Sequence, residues 1–500
     1  MAKSSVKQQR ITPAPVAFDG GLNLADNPDA LAGNQLANVV NMFYADGRTV
    51  LTTRPGLVHE AGPPPDGGGI VKLHWFERDV LTGMLMAATS AGHLYRLDES
   101  ASPPVWAEVA ELDQAGVVPD LATFHGKLVI ADGGPHLRAW DGEELTVLEG
   151  SPSATAVAEI GGRLAANSAS DLDGVALCGP YDETDWDIGQ GGAVFVRAGY
   201  GDGLRVTGLG VIGQDLIVFK SGDSGKRIMR LNTAGPASGW SLTQLSKNLT
   251  AHSGHAVEFV GNNLIFGGPG GIMDLAGVQQ YGDIQVGGAG RPVNPALNGR
   301  NVAEMRFLPK LAVMLAFIEG DSRVLVYHPH NQAWTILDFQ SLLLSSACQA
   351  GERLFLAGRN GRLYRLGLGE SRDEVEEGKF SDIPAMARTK VFTAGGEMIL
   401  RKTRLDFEAI TPGSGKLQVL GSDQVSPVTL LTWEADPGLG KLADAQAPLA
   451  DAAQPLGVPA ETQTMSRARF RDAAMSFQIT TSSGRIRLRQ CLAEMAMVAG

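Results

Sequence analysis

The sequence AATSAGHLYRL at residues 87–97 recurs in altered form as LAGRNGRLYRL at residues 356–366. Each copy has alternating apolar residues on both sides of a short Gly-containing turn, which is the pattern of a β-hairpin. In the second copy the turn is Asn360-Gly361, a pair that tolerates the positive φ angles of a type I′ turn. The two copies therefore predict hairpins at the two ends of a long repetitive region.

Between the two copies the same strand–glycine–strand pattern returns several times. Five further units lie at residues 122–142, 156–168, 208–220, 256–268 and 305–328. Seven units in this span give a period of roughly 45 residues, which is typical of propeller blades with four strands each. We therefore predict a β-propeller of about seven blades, or six. The alternative is a pair of β-sandwiches, in which turns also recur but without this longer period.

The composition favours an all-β protein with more than one domain. The chain has 500 residues, of which 44% are hydrophobic and 63 are glycine. Glycine in helix interiors costs about 1 kcal/mol relative to alanine, so this content disfavours long helices. A length of 500 residues also exceeds what a single core usually supports.

Changes in composition along the chain predict four parts. They are an N-terminal arm with a β-rich lead-in (1–60), the propeller (61–370), an acidic linker (371–387) and a C-terminal β-sandwich-like domain (388–500). Within the lead-in we expect a short helical patch around Asn34–Asn41 and a turn at Ala45-Asp46-Gly47. The Ala- and Pro-rich segment 436–462 is expected to be a long loop.

Charge and cysteine content restrict the classes of partner and compartment. The net charge is −12, and it divides into −14 for residues 1–384 and +2 for residues 385–500. A general DNA-neutralising surface is therefore not expected. Cys178, Cys348 and Cys491 are widely spaced, which argues against a disulfide framework or a thiolate zinc site. We expect no signal peptide, no membrane span and folding in a reducing compartment.

Two short segments alternate apolar residues with arginine: RARFR at 467–471 and RIRLR at 485–489. A period of two places the arginines on one face of a strand. They form either a solvated sheet face or a docking surface for an acidic partner or phosphate.

Several motifs resemble catalytic or binding signatures without meeting their requirements. GDSGK at 222–226 and LTAH at 249–252 are similar to serine-protease segments, but Ser224 precedes His252, the reverse of the order in that family. GYGDG at 199–203 and GGPGG at 267–271 lack the Lys-Ser/Thr and the helix of a phosphate loop. A hairpin turn between two strands explains GDSGK, and turns are also the better explanation of GYGDG and GGPGG.

An acidic cluster and a histidine pair contain residue types that bind metal ions. The acidic group consists of Asp171, Asp173, Asp182, Asp185 and Asp187. Its spacing is not that of an EF-hand, and a solvated loop is the better interpretation. His328 and His330 lack an evident third ligand. We therefore predict no catalytic residues, no cofactor-binding residues and no metal site, and expect that the chain is not an enzyme.

Three blocks in a fixed order resemble the tail-nozzle proteins of short-tailed bacteriophages, also described as tail-hub or packaged-DNA stabilisation proteins. The first block, residues 20–57, contains a Gly-Leu-Asn segment and a TRPG turn. The second, residues 176–231, matches the family through Asp182, Trp186, Leu209 and the strand Leu216–Lys220. The third covers residues 256–275 and 305–337.

This resemblance implies a structural virion protein that forms a homohexameric ring below the portal and adaptor rings. Such a ring retains packaged DNA, extends the channel for ejection and attaches fibres, spikes or a needle. Double-stranded DNA passes through its lumen without sequence-specific binding. The resemblance also implies assembly in the host bacterial cytoplasm and a location in the virion tail.

Two other classes remain open. A phage propeller-type glycan hydrolase needs two converging carboxylates in a cleft. A non-viral propeller interaction module of the WD or Kelch kind would carry a recurring blade-end signature, and the WD dipeptide does not recur.

Overall fold

The computed structural model describes residues 15–45, 47–189, 191–278, 283–435, 461–466 and 470–497. The chain divides into two compact units. Unit 1 comprises residues 1–58, 325–338 and 367–500, and unit 2 comprises residues 59–324 and 339–366. Helix is limited, in the described residues, to Asn294–Leu297 and three 3-10 turns at Ala237–Gly239, Gly254–Ala256 and Pro309–Leu311. The all-β prediction is confirmed.

Five short strands come first in the described part of the chain. They are β1 (Pro15–Val16), β2 (Leu36–Val40), β3 (Met42–Tyr44), β4 (Leu51–Thr53) and β5 (Gly56–Ala61). The expected helical patch at Asn34–Asn41 is wrong, because β2 occupies it. Val39 and Val40 are β-branched and pair with residues of a later strand in unit 1.

Four-stranded antiparallel blades follow. Blade 1 contains β6 (Ile70–Glu77), β7 (Gly83–Thr89), β8 (His93–Asp98) and β9 (Val105–Glu111). Blade 2 contains β10 (Asp120–Phe124), β11 (Lys127–Ala131), β12 (Arg138–Trp140) and β13 (Leu145–Val147). Blade 3 contains β14 (Val157–Ile160), β15 (Arg163–Asn167), β16 (Gly174–Leu177) and β17 (Val194–Arg197).

The remaining blades have the same antiparallel order. Blade 4 contains β18 (Arg205–Ile212), β19 (Asp215–Gly222), β20 (Gly225–Asn232) and β21 (Ser241–Ser246). Blade 5 contains β22 (Val257–Val260), β23 (Asn263–Gly268), β24 (Gly271–Val278) and β25 (Asp283–Gly287). Blade 6 contains β26 (Val302–Leu308), β27 (Val313–Ile318), β28 (Arg323–His328) and β29 (Ala333–Asp338). Blade 7 contains β30 (Leu344–Ala350), β31 (Arg353–Gly358), β32 (Leu363–Gly367) and the early strand β5.

These strands form a β-propeller. Within the described residues, six blades are separate four-stranded sheets, and blade 6 is the end of a larger sheet. The innermost strands of the seven sets contact one another in chain order, and β30 contacts β6, which closes the ring. The prediction of a propeller with about seven blades, or six, is therefore confirmed.

Apolar side chains between neighbouring blades form the core of unit 2. Phe76, Leu128 and Trp140 pack between blades 1 and 2, and Tyr95 and Phe355 belong to the cluster between blades 1 and 7. The second strand of a blade lies between two neighbours, so strands such as β27 are buried along their whole length. Near-continuous apolar runs are expected for strands that are covered on both faces.

The hairpins predicted from the two sequence copies are present as β7–β8 and β31–β32. The second turn is not the two-residue type I′ turn that Asn360-Gly361 indicated. It spans residues 359–362 and has a positive φ at Gly361. The Asn360 side chain accepts a hydrogen bond from the Arg362 backbone N–H (3.1 Å), which stabilises the longer turn.

Unit 1 contains the C-terminal sheet domain. Its later strands are β33 (Arg372–Glu376), β34 (Lys379–Asp382), β35 (Ala385–Thr389), β36 (Phe392–Ala409), β37 (Gly413–Leu420), β38 (Val428–Ala435), β39 (Glu461–Ser466), β40 (Phe470–Ser483) and β41 (Ile486–Met497). The first half of β40 pairs with β36, and its second half pairs with β35 and β37. Phe407 and Trp433, on β36 and β38, have ring centroids 4.7 Å apart in the core.

Both ends of the chain contribute to this domain, since β1 and β4 pair with β41. The segment 371–387, expected as an acidic linker, instead contains the β33–β34 hairpin and the start of β35. The reason is that its carboxylate at Asp373 is buried and bonded rather than solvated. Most of the expected loop at 436–462 lies outside the described residues, as do residues 1–14 of the expected arm.

No helix in the described part of the chain is long and apolar enough to cross a lipid bilayer.

Candidate functional site

Charged side chains from the innermost strands fill the centre of the propeller. The Lys72 ammonium on β6 lies 2.8 Å from the Glu304 carboxylate on β26 and 3.3 Å from His255 Nδ1. His255 Nε2 lies 3.1 Å from the carbonyl oxygen of Val118, just before β10. Because these residues belong to blades 1, 5 and 6 and to the start of blade 2, their contacts cross the central opening.

A second set of polar contacts adjoins the first. One Arg306 nitrogen lies 3.2 Å from Glu304, and another lies 3.8 Å from the Glu258 carboxylate on β22. His74 Nε2 lies 3.0 Å from the Thr123 hydroxyl on β10. The axis of this single propeller is therefore occupied by bonded side chains.

Burial and neighbouring charges fix the ionisation of this axial cluster. Burial raises the pKa of Glu304, but Lys72 and Arg306 lower it more, so the carboxylate titrates below its ordinary range. Burial, together with the positive charges of Arg306 and Lys72, lowers the pKa of His74 to about 3. At neutral pH the cluster thus combines an ionised Glu304 with a neutral His74.

A polar cavity opens on the propeller face where the chain passes from one blade to the next. It has a volume of about 540 Å³ and is formed by loops of blades 3, 4 and 5. We call it the loop-face cavity. Its polar lining residues are Arg205, Thr207, Ser221, Asp223, Thr250 and His252. This volume is within the range of about 300–1,000 Å³ that small-molecule sites usually have.

A buried ion network holds the loops beside this cavity. Lys220, whose side chain is 0% exposed, donates to Asp173 at 2.6 Å and to Asp202 at 2.9 Å. Arg227 lies 2.9 Å from the second oxygen of Asp202. Burial raises the pKa of Asp173, but its bond to Lys220 contributes to lowering it below the ordinary value. The network joins the β15–β16 turn, the connection between blades 3 and 4, and β19.

Two glycines shape the rim of the loop-face cavity. Gly203 has a φ of +70°, a conformation that side-chain-bearing residues rarely adopt. A Cβ atom on Gly222 would lie 2.8 Å from the Gly203 carbonyl oxygen, closer than normal packing allows. The close approach of these two turns therefore requires glycine.

Four segments that resemble catalytic or phosphate-binding motifs in the sequence meet at this cavity. GYGDG contributes Gly203, GDSGK contributes Asp223, LTAH contributes His252 and GGPGG contributes Pro269. The three glycine-rich segments are turns, as expected. The Ser224 hydroxyl of GDSGK donates to the Asp202 carbonyl of GYGDG at 2.8 Å, which links two of these turns. Sequence reasoning missed Arg205, because it is the first residue of an ordinary-looking strand and belongs to no motif.

The five aspartates considered as a metal site divide between two ends of β16. Asp171 and Asp173 precede it, whereas Asp182, Asp185 and Asp187 follow it. Asp171 lies 2.9 Å from Arg197, and Asp182 accepts from the Thr184 backbone at 2.9 Å. No group of three or more His, Cys, Asp or Glu side chains in the described residues is arranged to hold a metal ion.

The histidine pair in unit 1 is also separated. His328 is 2% exposed, and its Nε2 lies 3.0 Å from the Thr335 hydroxyl. Its ring is perpendicular to that of Tyr44, with centroids 4.9 Å apart. Burial lowers the pKa of His328 to about 3. His330 is exposed, so the two rings occupy different environments.

The arginine-rich segments do not form a free row of guanidiniums. Arg485 is buried, and Arg487 and Arg489 lie 2.8 and 3.0 Å from the same Glu408 carboxylate. In the other segment, residues 467–469 lie outside the described residues, and Arg471 pairs with Glu397. The prediction of outward-facing arginines is thus wrong for Arg485. At Arg487 and Arg489, Glu408 neutralises the positive charge.

No protein-family model matches the chain, and no curated protein matches it at the significance threshold. Similar solved structures include YCF48 from Cyanidioschyzon merolae (12% identity, TM-score 0.41), which covers 62% of this chain and 98% of its own. Catalytically inactive virginiamycin B lyase from Staphylococcus aureus with quinupristin has 12% identity and a TM-score of 0.42, with coverage of 62% and 98%. The Cps50 (Swd1) propeller domain from Myceliophteria thermophila has 10% identity and a TM-score of 0.42, with coverage of 63% and 98%. These are similarities of fold alone.

Proposed function

We propose that this chain is a structural protein of a short-tailed bacteriophage virion, with no catalytic activity. In this role six copies form the tail-nozzle or hub ring below the portal–adaptor complex. The ring retains packaged DNA, extends the channel for its ejection and attaches distal tail parts such as fibres, spikes or a needle. The proposal is supported by the order of the three sequence blocks that resemble this protein family.

The observation that carries the geometric part of the proposal is the occupied axis of the propeller. Lys72, Glu304 and His255 are bonded to one another across the central opening. A DNA duplex, whose major groove alone is about 12 Å wide, has no path through such a centre. In the proposed ring the DNA therefore passes between subunits, and each propeller acts as a rigid wall element.

The distribution of charge agrees with such a wall. Unit 2 contains 22 Lys and Arg against 32 Asp and Glu, a net charge of −10, whereas unit 1 contains 20 against 22, a net charge of −2. DNA carries one negative charge per about 1.7 Å of axis. A propeller surface of the same sign repels the duplex and lets it slide without adhering.

A propeller-type glycan hydrolase receives less support from the geometry. Both common mechanisms need a pair of carboxylates flanking the scissile bond. Asp223 is the single carboxylate among the described residues that line the loop-face cavity. A non-viral interaction module has no specific observation in its favour.

Assembly measurements test the proposal directly. Native mass spectrometry of the purified full chain, alone and with its adaptor protein, is expected to give a hexamer, since a head-to-tail interface that closes forms a ring. Electron microscopy of the chain mixed with phage heads is expected to place rings on the portal axis. Monomers under both conditions, or release of sugar from glycan by a lone monomer, would contradict it.

A further inference from the structure

The loop-face cavity contains a guanidinium that has no internal counter-ion. Arg205 is exposed and lines the cavity, and in the described residues its side chain has no ion pair or hydrogen bond. Nearby arginines on the same face are paired, Arg197 with Asp171 and Arg227 with Asp202. In a unit where carboxylates outnumber cations, Arg205 therefore remains available for an anionic ligand, which its planar fork of donors suits.

Hydroxyl and imidazole groups line the same cavity as Arg205. The Thr207 hydroxyl donates to the Phe219 carbonyl at 3.3 Å, which leaves its oxygen lone pairs free to accept. The His252 backbone N–H donates to the Gly267 carbonyl at 2.8 Å and fixes the position of this residue at the cavity wall. The lining therefore offers several hydrogen-bonding groups for a ligand rich in hydroxyls.

The Asp223 carboxylate affects which kind of anion the loop-face cavity can bind. It lines the same cavity as Arg205, so it repels a compact, multiply charged anion such as phosphate. A carboxylate also accepts hydrogen bonds from ligand hydroxyls. We propose that the loop-face cavity binds a sugar acid, with the ligand carboxylate on Arg205 and ligand hydroxyls on Asp223, His252 and Thr207.

The walls of the site are formed before a ligand arrives. The Lys220 ion network and the close contact of Gly203 with Gly222 fix the loops on either side of Arg205. A preformed site loses less conformational freedom when it binds. This proposal goes beyond the tail-nozzle function and does not depend on it, because ligand binding is measured on the isolated chain.

Isothermal titration calorimetry of the full chain tests the proposal with three probes: sodium glucuronate, glucose and inorganic phosphate. Glucuronate is expected to bind, and glucose and phosphate are expected to bind at least tenfold more weakly. Arg205→Gln is expected to weaken glucuronate binding by roughly tenfold or more, because hydrogen bonds to charged groups are lost. Asp223→Asn is expected to weaken glucuronate binding and to strengthen phosphate binding.

The matched control is Arg197→Gln, which removes a paired arginine from the same face but outside the cavity lining. It is expected to leave glucuronate binding unchanged, and thermal unfolding verifies that each variant is folded. Absence of glucuronate binding at millimolar concentration overturns the proposal. Equal affinity for glucose or phosphate, or an Arg205→Gln variant that binds like the parent, also overturns it.

Discussion

Arg54 and Asp373 form a bidentate ion pair inside unit 1, although 319 residues separate them along the chain. The two guanidinium–carboxylate distances are 2.7 and 2.6 Å, and the side chains are 0% and 3% exposed. Arg54 Nε also donates to the Asn41 side chain at 3.0 Å. Arg54 belongs to the TRPG turn of the tail-nozzle resemblance, so this motif joins the N-terminal lead-in to the β33–β34 hairpin.

Removal of either partner of this pair leaves a buried charge without its counter-ion. We expect Arg54→Met and Asp373→Asn each to lower the free energy of unfolding by about 3–5 kcal/mol. Urea denaturation measures this change. The matched control is Arg471→Met, which breaks an exposed pair with Glu397 and should cost less than about 1 kcal/mol. Similar losses at the buried and exposed sites would contradict the role assigned to Arg54.

The axial cluster of the propeller gives a second stability prediction. Glu304→Gln removes the carboxylate that faces both Lys72 and Arg306, and we expect a loss of about 3–5 kcal/mol. Glu352→Gln breaks an ion pair with Lys310 in which the carboxylate is 89% exposed, and it serves as the control. Chemical denaturation of both variants is the measurement. An unchanged denaturation midpoint for Glu304→Gln would mean that the axial cluster does not stabilise the propeller.

Stability is expected to fall as the medium becomes acidic. The pKa values of His74 and His328 are both lowered to about 3. Between about pH 6.5 and pH 3 the unfolded chain therefore binds protons that the folded chain excludes. Their contribution is complete above pH 6.5 and decreases as the pH falls, by at most about 1.4 kcal/mol per pH unit for each histidine.

Variants isolate this effect from the titration of carboxylates such as Glu304, which acts in the same direction. His328→Gln should flatten the dependence of the unfolding free energy on pH between 4 and 6.5, as measured by denaturant titration at each pH. His330→Gln, an exposed side chain, is the control. Parallel curves for His328→Gln and the parent would contradict the assignment.

The three cysteines should be unreactive in the folded chain. Burial raises the pKa of Cys178 to about 11 and those of Cys348 and Cys491 to about 12, although Arg163 and Arg306 partly oppose the first two shifts. Because the thiolate is the reactive form, a thiol reagent at pH 8 should label none of them quickly. In denaturant all three should react, and rapid labelling of the native chain would contradict this expectation.

Features carried by local patterns were predictable from the sequence. Hairpins such as β7–β8 follow from alternation and glycine placement, and the long period indicated the propeller. Contacts between distant segments were not predictable. Nothing in the segments around Arg54 and Asp373 indicates that these two residues form a pair, and the partners of Lys220 lie on two separate loops. At Asn34–Asn41 tertiary strand pairing overrode the local pattern that suggested a helix.

The loop-face cavity likewise could not be predicted from the sequence. Its lining residues come from five segments between Leu172 and Pro269. Each glycine-rich segment was correctly interpreted as a turn, but the sequence contains no signal that these turns converge. Convergence follows from the ring, which brings the blade-to-blade connections and the turns between second and third strands to one face.

The composition of blade 7, which closes the propeller, has a consequence for biosynthesis. Its strand β5 is translated before the rest of the propeller, whereas its partners β30, β31 and β32 emerge from the ribosome last among the blades. The nascent chain must therefore keep β5 unpaired until nearly the whole circle has been made. If the ribosome stalls during synthesis of blade 7, the propeller is left incomplete, with unpaired strand edges. Such edges promote aggregation.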